Sequence, residues 1–113
     1  MFLKRWLVLQ NRKGIVIVSF DLPTDTAKDK ANYRKFRSFL IKNGFVFFQG
    51  SVYIKELKNL LQCKKVIKEV SVNAPEKGNI VALPLTINEL SKLSVIKGTE
   101  NILSDLSEDV FFL

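Results

Sequence analysis

Ile15–Phe20 reads IVIVSF, a continuous β-favouring run that is apolar at every position except Ser19. Such a run predicts a strand buried on both faces, because neither set of alternate side chains is suited to water. Whatever fold the chain adopts must therefore cover this strand from two sides. With 113 residues there is room for one domain and a modest core. A second copy of the chain is then a natural source of extra buried surface. The run ends at Asp21-Leu22-Pro23-Thr24-Asp25, where proline and aspartates form a turn.

A helix follows from about Ala27 to Lys42, closed by Asn43-Gly44. At helical spacing Tyr33, Phe36, Phe39 and Leu40 share one broad face. Lys30, Arg34 and Arg37 form one basic ridge, and Lys28, Lys35 and Lys42 form another. Phe45–Phe48 and Ser51–Lys55 are both β-like and meet at Gln49-Gly50, as a tight hairpin or one bent strand. Glu56–Val70 reads as a helix, with Leu57, Leu60, Leu61 and Ile67 near one face, and Cys63 as a small core residue. Asn73–Gly78 is a turn, and Ile80–Leu85 a further strand whose Pro84 predicts an exposed or irregular edge. Ile87–Leu93 reads as a short helix, and the terminal VFFL as a closing strand.

The resulting order is βαββαβ, the pattern of an α+β, ferredoxin-like sandwich with an additional C-terminal strand. The expected organisation is an N-terminal extension over residues 1–14, a core over 15–86 and a C-terminal appendage over 87–113. Two helices cover only one face of such a sheet, so a homodimer is expected to cover the other.

Charge and residue types narrow the chemistry. The net charge of +7 is uneven: residues 1–70 hold 15 Lys or Arg and 5 acids, residues 71–113 hold 3 and 6. A basic body favours polyanionic partners, nucleic acid above all. A basic ridge by itself also suits a solvated face; two ridges on one helix favour binding. There is no histidine and one cysteine. Nucleophile–histidine arrangements, zinc cages and an intrachain disulfide are thereby excluded, and the absence of disulfides fits a cytoplasmic setting. The apolar runs are too short to span a membrane, and MFLKRWLVLQ does not read as a secretion signal. Any hydrolytic chemistry must rest on carboxylates with a hard metal.

A strand ending in S-F-D-L-P, a helix containing Y-R-K-F-R-S-F-L, then K-N-G-F, Q-G-S-V-Y and P-E-K-G-N-I-V-A-L-P-L-T form an ordered series. This series resembles the CRISPR-associated Cas2 family, in the form found beside Cas9-type systems. The resemblance runs from about Ile15 to Thr86, with Ile96-Lys97-Gly98 and the terminal strand as weaker echoes. It implies a ferredoxin-like homodimer that takes part in spacer acquisition in antiviral defence. It also implies double-stranded DNA as ligand and a bridging place between dimers of the Cas1 integrase. Family members are further described as metal-dependent endonucleases on RNA or DNA. The family's aspartate at the end of the first strand corresponds to Asp21, taken to bind magnesium (Mg2+) together with the Asp21 of a second copy near the two-fold axis. Asp21 is thus the expected catalytic and metal-binding residue, and Tyr53 occupies the family's S-V-F aromatic position. The chain departs from many members in having Phe20 before the aspartate and no basic residue in Val46-Phe47-Phe48.

From residue chemistry alone, Asp21 reads first as a turn aspartate that bonds nearby amides. Asp25 reads as a turn residue and Asp29 as a helix N-terminal carboxylate. The expected nucleic-acid contacts are Lys30, Arg34 and Arg37. Three functions stay open: a DNA-holding scaffold, a magnesium-dependent endonuclease, and a ferredoxin-like RNA-binding module without nuclease activity. The last would place aromatic and basic residues in its RNP strands, whereas the first strand here has one aromatic, Phe20, and the third reads S-V-Y-I-K, a poor match.

Overall fold

The computed structural model describes residues 13–98. Four strands and three helices follow one another: β1 (Gly14–Asp21), α1 (Ala27–Lys42), β2 (Val46–Gln49), β3 (Val52–Leu57), α2 (Leu61–Val72), β4 (Asn79–Thr86) and α3 (Ile87–Leu90). The sheet order is β2-β3-β1-β4, with every neighbouring pair antiparallel. This is the ferredoxin-like arrangement expected for βαββαβ. The doubly apolar run lies where its composition requires, as a central strand between β3 and β4.

Alternation along β1 sorts its side chains. Val16, Val18 and Phe20 enter a core shared with α1 and α2, where Phe36, Leu40, Tyr53, Cys63, Val66 and Val70 are also buried. Phe20 sits at its aromatic centre, edge-on to Phe36 at 5.2 Å and stacked on Tyr53 at 5.8 Å. Ile15 and Ile17 point the other way, into a smaller cluster with Ile54, Leu85, Ile87 and Leu90. The opposite face is therefore partly closed by α3 itself, more than two long helices alone would provide.

Local chemistry explains the element ends. Thr26 Oγ1 accepts from the Asp29 amide at 3.0 Å, and Asp29 Oδ2 accepts from the Thr26 amide at 3.2 Å. This reciprocal pair starts α1 and stabilises it by about 1 kcal/mol. At the other end the Asn43 amide donates back to Phe39 and Leu40, and Gly44 takes φ +87°, as a left-handed helix stop requires. The segment around Gly50 is a hairpin rather than a bent strand, and Phe48 is the extra residue of a bulge between Phe47 and Gln49.

Two expectations need correction. Glu56 and Leu57 belong to β3, paired with Ile15 and Gly14, so the second helix starts at Leu61 and runs to Val72. Its start is set by Asn59, whose side chain accepts from the Gln62 amide at 3.1 Å. The helix consequently buries Cys63, Val66 and Val70, while Leu61 is left exposed. The predicted helix Ile87–Leu93 is one turn, ending at Leu90. Pro84 lies opposite Val16 in β4, the margin of the described sheet, where a missing amide hydrogen costs least. The VFFL strand and most of the 1–14 extension lie outside the described residues.

Candidate nucleic-acid interface and carboxylate site

The two long helices form one layer over the sheet, and their outer surface is strongly basic. They carry nine lysines and arginines, all exposed, against one exposed acid, Glu69. Asp29 is withdrawn from this surface into the Thr26 cap. Lys30, Arg34 and Arg37 all stand exposed on α1. They differ in one respect. Arg37 Nε donates to the hydroxyl of Tyr53 at 2.9 Å, a bond from helix to sheet. Tyr53 is 2% exposed, so it gives the guanidinium a rigid support. No described residue pairs with the terminal nitrogens of Arg37. A guanidinium held at Nε keeps its two terminal amino groups, which can take a phosphate by two parallel bonds.

Asp21 is at the opposite side of the sheet. It ends β1 with its Cα opposite that of Asn79, and alternation puts it on the face of Ile15, Ile17 and Ser19. It is exposed, and no hydrogen bond or ion pair joins its carboxylate to another described residue. The side chain is thus not the amide-bonding turn aspartate that its setting also allows. Asp25 is exposed in the connection to α1, and Asp29 is the cap carboxylate its position predicts.

The same face bears apolar residues that water still reaches. Leu83 stands opposite Ile17 and is 59% exposed, and Val81 opposite Ser19 is 66% exposed. Ile17, Phe48, Val52 and Leu93 line a shallow apolar depression beside α3.

Whether these residues suit a magnesium ion is decided by donor chemistry. Among the described residues, no three acids, histidines or cysteines come together as a ligand set. At this strand end the chain offers the Asp21 carboxylate, with Asn79 opposite it on β4. A two-fold copy placing its own Asp21 at the same seam would supply the second carboxylate. Two carboxylates plus water are a sufficient all-oxygen shell for a hard cation. One chain alone does not supply that shell; a pair of Asp21 carboxylates would fit the ion.

Sequence reasoning missed the Tyr53 contact to Arg37, as well as Phe47 and Lys55 on the same side of the sheet. Strand alternation contains the signal, since Phe47 faces Tyr53 across the hairpin and Lys55 follows Tyr53 by two. Cys63 is buried as expected, and burial pushes its thiol up from the usual range, leaving it a packing residue. No described helix is long and apolar enough to cross a membrane.

Comparison with known proteins bears on the same region. The family model described as CRISPR associated protein Cas2 matches residues 14–93. A CRISPR-associated endoribonuclease Cas2 of Streptococcus mutans serotype c is 41% identical over 83 residues, covering 74% of this chain and 78% of the relative. The protein of that name from Treponema denticola is 40% identical over 83 residues, covering 74% and 82%. One from Lacticaseibacillus rhamnosus is 33% identical over 85 residues, covering 75% and 84%. The match begins with β1 and ends just beyond α3, so it takes in the whole described sheet, both basic helices and the strand end that carries Asp21. On the fold and on these matches together, the chain belongs to the CRISPR-associated Cas2 family.

Proposed function

We propose that the protein acts in CRISPR adaptation in the cytoplasm, as a homodimer that holds duplex DNA on its helical layer and bridges dimers of the Cas1 integrase. One observation carries the dimeric part of this reading. Asp21 shares its sheet face with the exposed apolar residues Val81 and Leu83, so pairing two chains through that face brings two Asp21 carboxylates to one seam. Burying those apolar side chains supplies the drive for association, at roughly 25 cal/mol per Å² removed from water. The basic helices stay outside, free to meet phosphate. The bridging place rests on the family resemblance.

A second activity is favoured by the relatives, which are named endoribonucleases. In this reading the dimer cleaves RNA or DNA at the seam. The Asp21 residues of the two copies would hold a magnesium ion, which would supply polarisation of a phosphoryl oxygen or activation of a water. With no histidine in the chain, the protein's own part at the seam is to hold the ion with the two carboxylates, while the basic helices stand on the other side of the sheet.

Asp21→Asn separates the two activities. The expected result is unchanged dimerisation and unchanged duplex affinity by fluorescence anisotropy, with any magnesium-dependent cleavage of RNA or DNA abolished. Loss of spacer acquisition in cells, with dimer and Cas1 binding preserved, would overturn the scaffold as the principal role.

A further inference from the structure

We infer that the β2 edge of the helical side carries a stacking site for one unpaired nucleotide, built from Phe47, Arg37 and Lys55. The inference rests on the proposal that the helical layer binds nucleic acid, and it names a different ligand form, a single strand.

Phe47 is half in water, at 50% exposure, although it lies on the sheet face that the helices otherwise cover. Its ring packs edge-on against Tyr53, with centroids 5.6 Å apart and planes at 70°. The tilt of the phenyl ring is set by this contact. Tyr53 is also the residue that accepts from Arg37 Nε, so one buried side chain orients both an exposed aromatic ring and an exposed guanidinium. Lys55, two residues along β3 on the same face, lies over the turn after α1. A β-carbon added at Gly44 would come 3.6 Å from its Cε and 3.9 Å from its Nζ.

An exposed aromatic on a sheet side that also carries two cations is the chemistry that binds single-stranded nucleic acid. The base stacks on the ring, and the phosphates on either side meet guanidinium and ammonium. A base inside a duplex is stacked on its neighbours and cannot use the ring, so Phe47 discriminates in favour of unpaired nucleotides. Arg34, which lacks the aromatic neighbour, serves both ligand forms equally.

The test compares a labelled single strand and a blunt duplex by fluorescence anisotropy at low salt, with the full chain. Phe47→Leu keeps an apolar side chain of similar reach and removes the ring. It is expected to weaken single-strand binding roughly tenfold and leave duplex affinity within about twofold. A single strand carrying one 2-aminopurine should show quenched fluorescence on binding the parent and not the variant. Arg34→Ala should weaken both ligands by the same factor. Equal loss of both ligands in Phe47→Leu, or no loss of either, would overturn the stacking site while leaving duplex binding by the helices intact. Failure of the parent to bind either ligand would overturn both readings.

Discussion

Ile17 and Leu83 face each other across β1 and β4, on the side of the sheet that neither long helix covers. One is half-buried and the other 59% exposed, so a chain on its own leaves this apolar pair in contact with water. Leu83→Lys should cost the single chain under about 0.5 kcal/mol, because the position is solvent-facing. In a dimer joined through this face it buries an unpaired charge. The parent is expected to run as a dimer by light scattering at micromolar concentration, and the variant as a folded monomer. A parent that is monomeric at that concentration would refute the dimer.

The basic helices make a salt-dependence prediction. Each lysine or arginine that neutralises a phosphate releases counterions, so its removal lowers the slope of log affinity against log salt by about 1. Lys30→Ala combined with Arg34→Ala should flatten the slope for duplex DNA by about 2, independent of base sequence. An unchanged slope, read from anisotropy titrations between low and moderate salt, would make this ridge a solvated helix face.

Gly78 controls the strand end that bears Asp21. It adopts φ +98°, and a β-carbon there would fall 2.6 Å from Leu22 Cδ2 and 2.8 Å from the carbonyl oxygen of Asp21. Gly78→Ala should destabilise the fold by about 1–3 kcal/mol, from backbone strain and the clash together. Urea unfolding should show a lower midpoint with an unchanged slope. Equal stability of the variant would show that the turn relaxes at no cost.

Glu89 gives a pH signature to the short helix that closes the second cluster. The Thr86 amide donates to its carboxylate at 2.8 Å, and the Thr86 hydroxyl adds a second bond at 3.0 Å. These bonds, the backbone one foremost, hold its pKa below the ordinary 4.5. A carboxylate depressed in the folded state stabilises above its unfolded pKa, and that contribution is lost as the pH falls through the folded value. Glu89→Gln should therefore melt slightly below the parent at pH 7, by about 0.5 kcal/mol or less for so exposed a cap. The gap should close as the pH falls through the depressed value of the folded state.

Much of this protein is written locally. The doubly apolar IVIVSF run is a central strand because each of its two faces meets a separate cluster. The Thr26–Asp29 cap and the Asn43-Gly44 stop are short-range chemistry, so α1 has the limits that its sequence predicts. The order of elements was sufficient for the ferredoxin-like topology, and the ordered motifs around Asp21 for the family. The boundary at Glu56 was not legible, because helical spacing of Leu57, Leu60 and Leu61 also suits residues of a strand and turn. Pairing of Glu56 with Ile15, a contact between residues far apart in sequence, decides it. The partial cover given by α3 and the bulge at Phe48 are likewise tertiary outcomes. So is the division of the candidate residues between sides: Lys30, Arg34 and Arg37 on the helical layer, Asp21 on the other. Alternation within a strand can be read from sequence. Which face receives the helices depends on how the sheet and its crossovers pack, and only the assembled fold settles that Arg37 rests on Tyr53 while Asp21 stands apart from both.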